Sequence, residues 1–247
     1  MSSARLDLDP YLSDPDRWGT SLAQVSEIML PCLDVAGVRS VVEVGAFAGD
    51  LTRVLVDWAS RSGARVGAVD PSPQPGLVAL AESHPELELV RQTSLEALPV
   101  IELPDAVVID GDHNYFTVSE ELRLIAERAE GSELPLLLFH DVCWPHARRD
   151  DYFAVELVPE GLRQPVADGV GGIFPGESGL RVGGGLPYPR SAAREGGPRN
   201  GVLTAVEDFV AGRDDLRLVV VPAFFGFGVV WSLGASYAAE LGELLDP

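Results

Sequence analysis

The stretch Val41-Val42-Glu43-Val44-Gly45-Ala46-Phe47-Ala48-Gly49 predicts a short apolar strand that ends in a glycine-containing turn. A helical pattern follows the turn, and the next predicted strand ends directly before Asp70. Glycine at such a turn lets a ligand approach the backbone closely, next to the free amides at the start of a helix. A carboxylate at the tip of the next strand can accept hydrogen bonds from two ribose hydroxyls. Together, the turn and Asp70 predict a binding site for a cofactor that contains adenosine.

Strand and helix patterns alternate along most of the chain. Apolar runs without polar alternation predict strands at Val41–Val44, Arg65–Val69, Leu87–Arg91, Asp105–Ile109 and Leu134–Phe139. Apolar residues at helical spacing predict helices at Thr20–Asp34, Leu51–Ser60, Pro75–Ser83, Thr117–Ala129 and Val202–Ala211. Two further strands joined by a tight turn are predicted within Leu218–Leu233. This order is typical of an α/β fold, with a Rossmann-like, doubly wound, mostly parallel seven-stranded sheet and a C-terminal antiparallel hairpin.

We expect a single domain over residues 1–247, because this length suits one large α/β domain. Residues 1–37 are predicted to form an N-terminal helical cap. The regular pattern breaks in residues 143–200, which are rich in Gly, Pro and Arg and precede the last helix and the hairpin. Irregular segments of this length in a compact domain usually have a function, so we interpret residues 143–200 as an insertion or lid.

The composition excludes several classes of partner. The formal net charge is −20 and the pI is near 4.4, whereas binding to nucleic acid requires clustered basic residues. Cys32 and Cys143 lie far apart, which argues against a zinc site built on cysteines and against a disulfide framework. The uncharged segment Leu218–Ala239 is long enough to cross a bilayer, but its Pro, Gly and β-branched residues favour buried strands. We therefore expect a cytoplasmic protein with no nucleic-acid or membrane partner.

Four short motifs carry a family resemblance, namely Glu43-Val44-Gly45-Ala46-Phe47-Ala48-Gly49, Asp70, Ile109-Asp110-Gly111-Asp112-His113-Asn114-Tyr115 and Phe139-His140-Asp141-Val142. From about Val38 to Leu233, the chain resembles the class I S-adenosylmethionine-dependent methyltransferases. The first two motifs are shared by that whole superfamily. The last two are narrower and are similar to those of the metal-dependent, macrocin-type small-molecule O-methyltransferases. The resemblance implies a transferase that methylates a hydroxyl group, for example in natural-product biosynthesis.

S-adenosylmethionine is the cofactor that the resemblance implies. Its contacts would come from Glu43, Gly45, Ala46, Gly49, Asp70, Thr93, Ser94 and Asp110. NAD is the main alternative, but its fingerprint is G-x-G-x-x-G, and the spacing Gly45-x-x-x-Gly49 fits that pattern poorly. Asp70 and Ser94 could each instead cap a helix.

The resemblance also implies a divalent metal ion, Mg²⁺ or Mn²⁺, with Asp110, His140 and Asp141 as its ligands. These residues follow the fourth and fifth predicted strands, and the carboxyl ends of strands are where ligands gather in open α/β sheets. Magnesium prefers oxygen ligands, so His140 could shift the preference towards Mn²⁺ or act as a base instead. Asp110 could also bind only loop amides, without any metal.

We predict that His113 is the general base. An alcohol is too weakly acidic to ionise unaided at neutral pH, and a neutral imidazole can accept its proton. His113 lies three residues after Asp110, so both side chains can face one cleft. A surface or helix-capping role for His113 is the alternative.

These patterns predict an S-adenosylmethionine-dependent O-methyltransferase that acts on a small-molecule hydroxyl, such as that of a natural-product sugar. A metal-free or nitrogen-directed methyltransferase is one alternative, and a non-catalytic binding or assembly module with the cofactor fold is another. Arg148 and Arg149, at the expected mouth of the cleft, could pair with a substrate carboxylate or form a surface charge cluster. Relatives often self-associate, so the resemblance also allows a homo-oligomer.

Overall fold

A seven-stranded sheet forms the centre of the computed structural model, which describes residues 22–166, 172–181, 184–187 and 190–245. Its strands are β1 (Ser40–Val44), β2 (Arg65–Val69), β3 (Leu87–Val90), β4 (Ala106–Ile109), β5 (Leu136–Phe139), β8 (Leu216–Val221) and β9 (Phe227–Ser232). They lie in the order β3-β2-β1-β4-β5-β9-β8. Strands β1 to β5 pair in parallel, whereas β9 is antiparallel to both β5 and β8. The predicted fold class is thereby confirmed.

Helices cover both faces of this sheet. They are α1 (Ser26–Val35), α2 (Asp50–Ser62), α3 (Pro75–Ser83), α4 (Ser94–Ala97), α5 (Tyr115–Arg128), α6 (Val202–Val210) and α7 (Ala238–Leu245). One apolar core lies between the sheet and the helices α1, α2, α3 and α7, and a second lies between the sheet and α4, α5 and α6. Burial on both faces explains why β4 and β5 are apolar at every position.

The order of the strands fixes where a ligand can bind. The chain runs outward from β1 to β2 and β3 on one side, and from β4 to β5 on the other, so the connections diverge between β1 and β4. In open α/β sheets, a crevice forms outside the carboxyl ends of the strands at such a switch point. The loop after β1 contains Gly45, and the loop after β4 begins with Asp110, so both predicted motifs lie at this crevice.

The structure differs from the sequence prediction mainly at short or late elements. The patterns missed the one-turn helix α4, the C-terminal helix α7 and a small antiparallel sheet of β6 (Gly172–Ile173) and β7 (Leu186–Pro187). Such short elements carry too few residues to show a period. Residues 1–21 of the predicted N-terminal cap lie outside the described residues, as do parts of the predicted insertion at 167–171, 182–183 and 188–189.

The uncharged C-terminal segment forms strands, as expected. It contributes most of β8 and all of β9, which are joined by the turn that contains Phe224, Phe225 and Gly226. Over the described part of the chain, no helix combines the length and apolarity needed to cross a membrane.

Candidate active site

A cavity of about 580 Å³ lies at the switch point of the sheet. The predicted cofactor residues that line it are Glu43, Gly45, Ala46, Asp70, Thr93, Ser94 and Asp110. Gly49 does not line the cavity; it is the N-cap of α2, where its positive φ of 88° lets the loop turn into the helix. His113 also lines the cavity, so the structure brings the predicted base and the predicted cofactor residues together.

Gly45 lines the cavity at a position where no larger residue fits. Its φ is 86°, and an added Cβ would lie 2.2 Å from the carbonyl oxygen of Asp110. The Gly45 amide donates to the carbonyl of Val69 at 2.9 Å, which fixes the turn to β2. The loops after β1 and β4 are therefore in direct backbone contact, as a cradle for a ligand requires.

Asp70 lines the cavity and is almost fully buried at the end of β2. One carboxylate oxygen accepts a hydrogen bond from the Phe47 amide, and the other accepts one from the Ser72 amide, each at 2.7 Å. These two bonds hold the side chain in one orientation. Each oxygen keeps a second lone pair, so a ribose diol can still donate to the carboxylate.

Glu43 is buried beneath the loop, and its Oε2 accepts a hydrogen bond from the Thr52 hydroxyl at 2.6 Å. Burial raises the pKa of the Glu43 carboxyl to about 8, although the bond from Thr52 opposes this change. The nearby carboxylates Asp110, Asp70 and Asp50 act in the same direction as burial. Thr52 was not predicted as a site residue, because nothing in a helical pattern marks a buried hydroxyl.

This raised pKa makes the stability of the unliganded protein depend on pH. Between the ordinary pKa of about 4.5 and the folded value of about 8, the folded state keeps a proton that the unfolded chain has lost. The stability associated with neutral Glu43 is therefore present at pH 4 and is lost as the pH rises towards 8. As the pH rises from about 4.5 to about 8, we expect the free energy of unfolding of Glu43→Gln to increase relative to that of wild type, by at most about 1.4 kcal/mol per pH unit.

Urea denaturation of both proteins at pH 5, 6.5 and 8 measures this difference. Glu88→Gln, which changes an exposed carboxylate on β3, controls for the loss of one negative charge. A difference between wild type and Glu43→Gln that is constant across the three pH values would contradict the prediction.

The predicted metal ligands converge at the ends of β4 and β5. Asp110, His140 and Asp141 each offer one ligand atom, and these atoms lie within 4.8 Å of one another. The Nδ1 atom of His140 is 3.0 Å from Asp110 Oδ1 and 3.1 Å from Asp141 Oδ2. Its Nε2 atom is 2.8 Å from the carbonyl oxygen of Phe224. Because a carbonyl only accepts, Nε2 carries a proton, and Nδ1 faces the two carboxylates.

Strong electrostatic coupling marks this group. Burial opposes protonation of His140, but Asp141 and Asp110 outweigh it and raise the pKa of His140 well above its ordinary value. Burial likewise opposes ionisation of Asp141, but the two histidines His113 and His140 lower its pKa below the ordinary range. Asp141 has a φ of 59°, a conformation that residues other than glycine seldom adopt, and it is nevertheless held here.

His113 lies between this group and the cavity. Its Nε2 atom is 3.2 Å from Asp141 Oδ2 and 4.0 Å from Asp110 Oδ1, and its side chain is 30% exposed. The imidazole stacks on the ring of His146, with ring centroids 4.8 Å apart. Burial disfavours the charged form of His113, but Asp141 and Asp110 outweigh burial and raise its pKa. Burial lowers the pKa of His146 to about 3, so His146 is neutral at physiological pH.

The start of the insertion is fastened to the loop that carries His113. The Asp151 amide donates to the carbonyl of His113, and the Phe153 amide donates to Asp112 Oδ1, both at 2.9 Å. Asp150 accepts from the amides of Tyr115 and Gly201, at 2.8 Å and 2.7 Å, which joins the starts of α5 and α6. These long-range contacts could not be predicted, because no local pattern signals them.

The two arginines at the start of the insertion have structural partners. Arg148 forms a two-bond ion pair with Glu207, at 2.6 Å and 2.7 Å. Arg149 is fully buried and donates to the carbonyls of Ala192 and Ser178. Neither side chain lines the cavity; Arg148 pairs with Glu207 on another helix, and Arg149 is buried and so does not belong to a surface charge cluster.

One family model and two solved structures are similar to this chain. Residues 42–142 match a family model described as a methyltransferase domain. No curated protein matches the sequence significantly. A Podospora anserina methyltransferase solved with S-adenosylhomocysteine is similar over 90% of this chain and 83% of its own, with 15% identity and a TM-score of 0.52. A methyltransferase from Geobacter sulfurreducens is 13% identical, with 94% and 93% of the two chains covered and a TM-score of 0.49.

The family model covers residues 42–142, which include every residue of the cavity lining except Phe153 and Leu157. The likeness to the Podospora protein extends the shared fold over 90% of the chain. Residues 42–142 are therefore similar to a methyltransferase domain, and the chain shares the fold of the Podospora methyltransferase.

Proposed function

We propose that this protein transfers the methyl group of S-adenosylmethionine to a hydroxyl of a small molecule, assisted by a divalent metal ion. One observation carries the proposal. Asp110, His140 and Asp141 converge within 4.8 Å, and Asp110 and His113 also line the cavity that contains the cofactor residues. A methyl donor, a metal and a proton acceptor would therefore meet at one end of one cavity.

The residues present fit S-adenosylmethionine. The Gly45 turn leaves room where any side chain would collide with the Asp110 backbone, and Asp70 is held ready for a diol. The capping box of Thr93 and Glu96 fixes the loop after β3, where the adenine would lie. Acidic side chains line the cavity, and the negative charge of their carboxylates attracts a positively charged sulfonium ligand.

The donor set also fits a divalent ion. A histidine that binds a metal usually donates its other ring N–H to a carbonyl or carboxylate, which fixes the tautomer. His140 has that arrangement, because Nε2 contacts Phe224 and Nδ1 faces Asp110 and Asp141. A bound ion would hold the acceptor oxygen and lower the pKa of its hydroxyl. The mixed donor set favours Mn²⁺ over Mg²⁺.

His113 is the residue that we assign to the proton. Attack of the acceptor oxygen on the sulfonium methyl forms a carbon–oxygen bond and breaks the carbon–sulfur bond, whose electrons remain on sulfur in S-adenosylhomocysteine. The hydroxyl proton passes to the His113 imidazole. Asp141, at 3.2 Å from Nε2, stabilises the resulting positive charge. The enzyme's remaining contribution to the rate is that it positions the acceptor oxygen in line with the carbon–sulfur bond.

A metal-free methyltransferase is the second candidate, and one feature of the site favours it. A doubly protonated His140 would donate from Nδ1 to the carboxylates and from Nε2 to Phe224, so all four groups would be satisfied without an ion. Direct measurement of metal binding separates the two candidates.

We expect the purified protein to bind both S-adenosylhomocysteine and Mn²⁺. Calorimetry measures the first, and electron paramagnetic resonance of free Mn²⁺ measures the second. Asp141→Asn should lower the affinity for Mn²⁺ by about tenfold or more, because one anionic ligand is lost, while S-adenosylhomocysteine still binds. Asp57→Asn, on the exposed face of α2, is the control and should change neither value.

Each outcome has a distinct meaning. Absence of S-adenosylhomocysteine binding would overturn the assignment of the cofactor. Binding of S-adenosylhomocysteine without any Mn²⁺ binding, together with activity that persists after chelation, would select the metal-free candidate.

A further inference from the structure

Three exposed apolar side chains surround the mouth of the cavity. Phe47, Phe153 and Leu157 line it, and they are 62%, 60% and 59% exposed. Among the described residues, the other large hydrophobic side chains with comparable exposure are Val100, Leu233 and Leu244, none of which lines the cavity. A cluster of exposed apolar groups at the rim of a cavity is typical of a surface that binds a ligand.

The backbone holds these side chains at the rim. Phe47 has a φ of 41°, and its amide donates to Asp70 while its carbonyl accepts from the Gln74 amide at 2.9 Å. Phe153 is held on both sides, by its amide bond to Asp112 and by the Arg190 guanidinium, which donates to its carbonyl. The rim is therefore a built feature of the fold, and its exposure is not the chance result of a loose loop.

Phe153 and Leu157 lie on the acceptor side of the mouth. Phe153 is two residues from Asp151, whose amide is bonded to the His113 carbonyl. Leu157 ends the short 3-10 helix Val155–Leu157, which continues from Phe153. Phe47, in contrast, follows the Gly45 turn and contacts Asp70, so it borders the cofactor side.

The charges that line the cavity limit what can enter. The ionisable lining residues are Glu43, Asp50, Asp70, Glu96, Asp110, Asp112 and His113. Within the part of the chain that the structure describes, no arginine lines the cavity, and the sequence contains no lysine. The proposed metal ion is engaged by the acceptor hydroxyl, so a further phosphate, sulfonate or carboxylate on the acceptor would meet these carboxyl groups without an arginine of the described lining to pair with.

Resting on the proposed function, we infer that the acceptor is an uncharged hydroxyl compound with a flat apolar ring, and that Phe153 and Leu157 determine this specificity. The ring packs against the two side chains at the mouth, and its hydroxyl reaches towards Asp110 and His113. Aromatic side chains favour flat rings because stacking adds to simple burial of apolar area. A sugar offers mostly polar surface and therefore buries less apolar area against Phe153 and Leu157.

The test measures binding, so it does not depend on turnover. The probes are 2,3-dihydroxynaphthalene, its 6-sulfonate and methyl α-D-glucopyranoside, each titrated into protein saturated with S-adenosylhomocysteine and Mn²⁺. We expect the uncharged naphthalenediol to bind at least about tenfold more tightly than the other two probes. Phe153→Ala and Leu157→Ala should each weaken its binding by about tenfold, since each removes one large apolar contact.

Val100→Ala, which truncates an even more exposed apolar side chain outside the cavity lining, should leave all affinities unchanged. The affinity for S-adenosylhomocysteine should stay within about twofold in every variant, because Phe153 and Leu157 lie on the acceptor side. Phe153→Leu should bind the naphthalenediol more tightly than Phe153→Ala does, because leucine keeps part of the apolar contact area.

Failure of this inference differs from failure of the proposed function. Loss of S-adenosylhomocysteine binding by wild type would overturn the function itself. With that ligand bound, the inference is overturned if the glucoside or the sulfonate binds as tightly as the naphthalenediol. It is also overturned if the naphthalenediol does not bind, or if Phe153→Ala binds it like wild type.

Discussion

Replacing His113 with alanine is expected to lower the rate of methyl transfer by about 10²–10⁴-fold, the usual contribution of a general base. The imidazole is partly exposed to the cavity and lies 3.2 Å from Asp141, so its removal takes away both the proton acceptor and the group that Asp141 supports. Cofactor binding should survive, because no cofactor contact is changed. The measurement is transfer of labelled methyl to 2,3-dihydroxynaphthalene, or to any acceptor that wild type methylates, alongside calorimetry with S-adenosylhomocysteine.

His84→Ala provides the matched control. His84 lies at the end of α3, where its Nδ1 atom is 3.0 Å from the carbonyl of Leu80, and it does not line the cavity. Its replacement should leave turnover unchanged. Turnover of His113→Ala at the wild-type rate would remove His113 from the mechanism, and an equal loss in both variants would indicate a general effect on the fold.

Gly45→Ala is expected to destabilise the protein by about 2–5 kcal/mol, which combines overpacking with the cost of a left-handed backbone. The added methyl would lie 2.2 Å from the Asp110 carbonyl oxygen and 2.4 Å from the Gly111 Cα, and neither atom belongs to a flexible side chain. The loop after β4 must move to relieve this contact. That movement displaces Asp110 and His113, so affinity for S-adenosylhomocysteine should fall as well.

Gly63→Ala separates the steric contribution from the conformational one. Gly63 ends α2 with a φ of 72°, close to that of Gly45, but an added Cβ meets no atom within 4 Å. We expect this variant to lose about 1–2 kcal/mol and to keep its affinity for the cofactor. Urea denaturation and calorimetry compare the two variants, and equal losses of stability would show that the contact with Asp110 does not matter.

Much of the fold was predictable because the relevant signals are local. Each parallel strand is a short apolar run, and each long helix shows an apolar period, so β1 to β5 and the helices between them were found close to their observed bounds. The glycine turn and Asp70 were also recognisable, since a strained turn and a carboxylate at a strand tip each require particular residue types. The short helix α4 and the C-terminal helix α7 were not predicted, because the apolar periodicity in these segments is weak.

The candidate site was predictable only in part. Asp110, His140 and Asp141 were expected to lie together because they directly follow strands whose ends meet at one edge of the sheet, and His113 was expected beside them because it lies three residues after Asp110. The partner of His140 could not be found, because the Phe224 carbonyl is 84 residues away in the sequence. Backbone carbonyls have no residue signature, and their position depends on how the hairpin packs against β5.

The sequence by itself determined the order of strands and helices, the glycine turn after β1 and the identity of the polar residues at the strand ends. These depend on residue size, apolar period and backbone freedom, which are properties of neighbours in the chain. Only the tertiary structure decided that Arg148 and Arg149 bind other protein groups and do not line the cavity. It also decided that Asp112 and Asp150 accept hydrogen bonds that link the insertion to the rest of the fold. Finally, it decided that Phe153 and Leu157 line the cavity. Those outcomes depend on contacts between distant segments, which form only when the sheet brings the segments together.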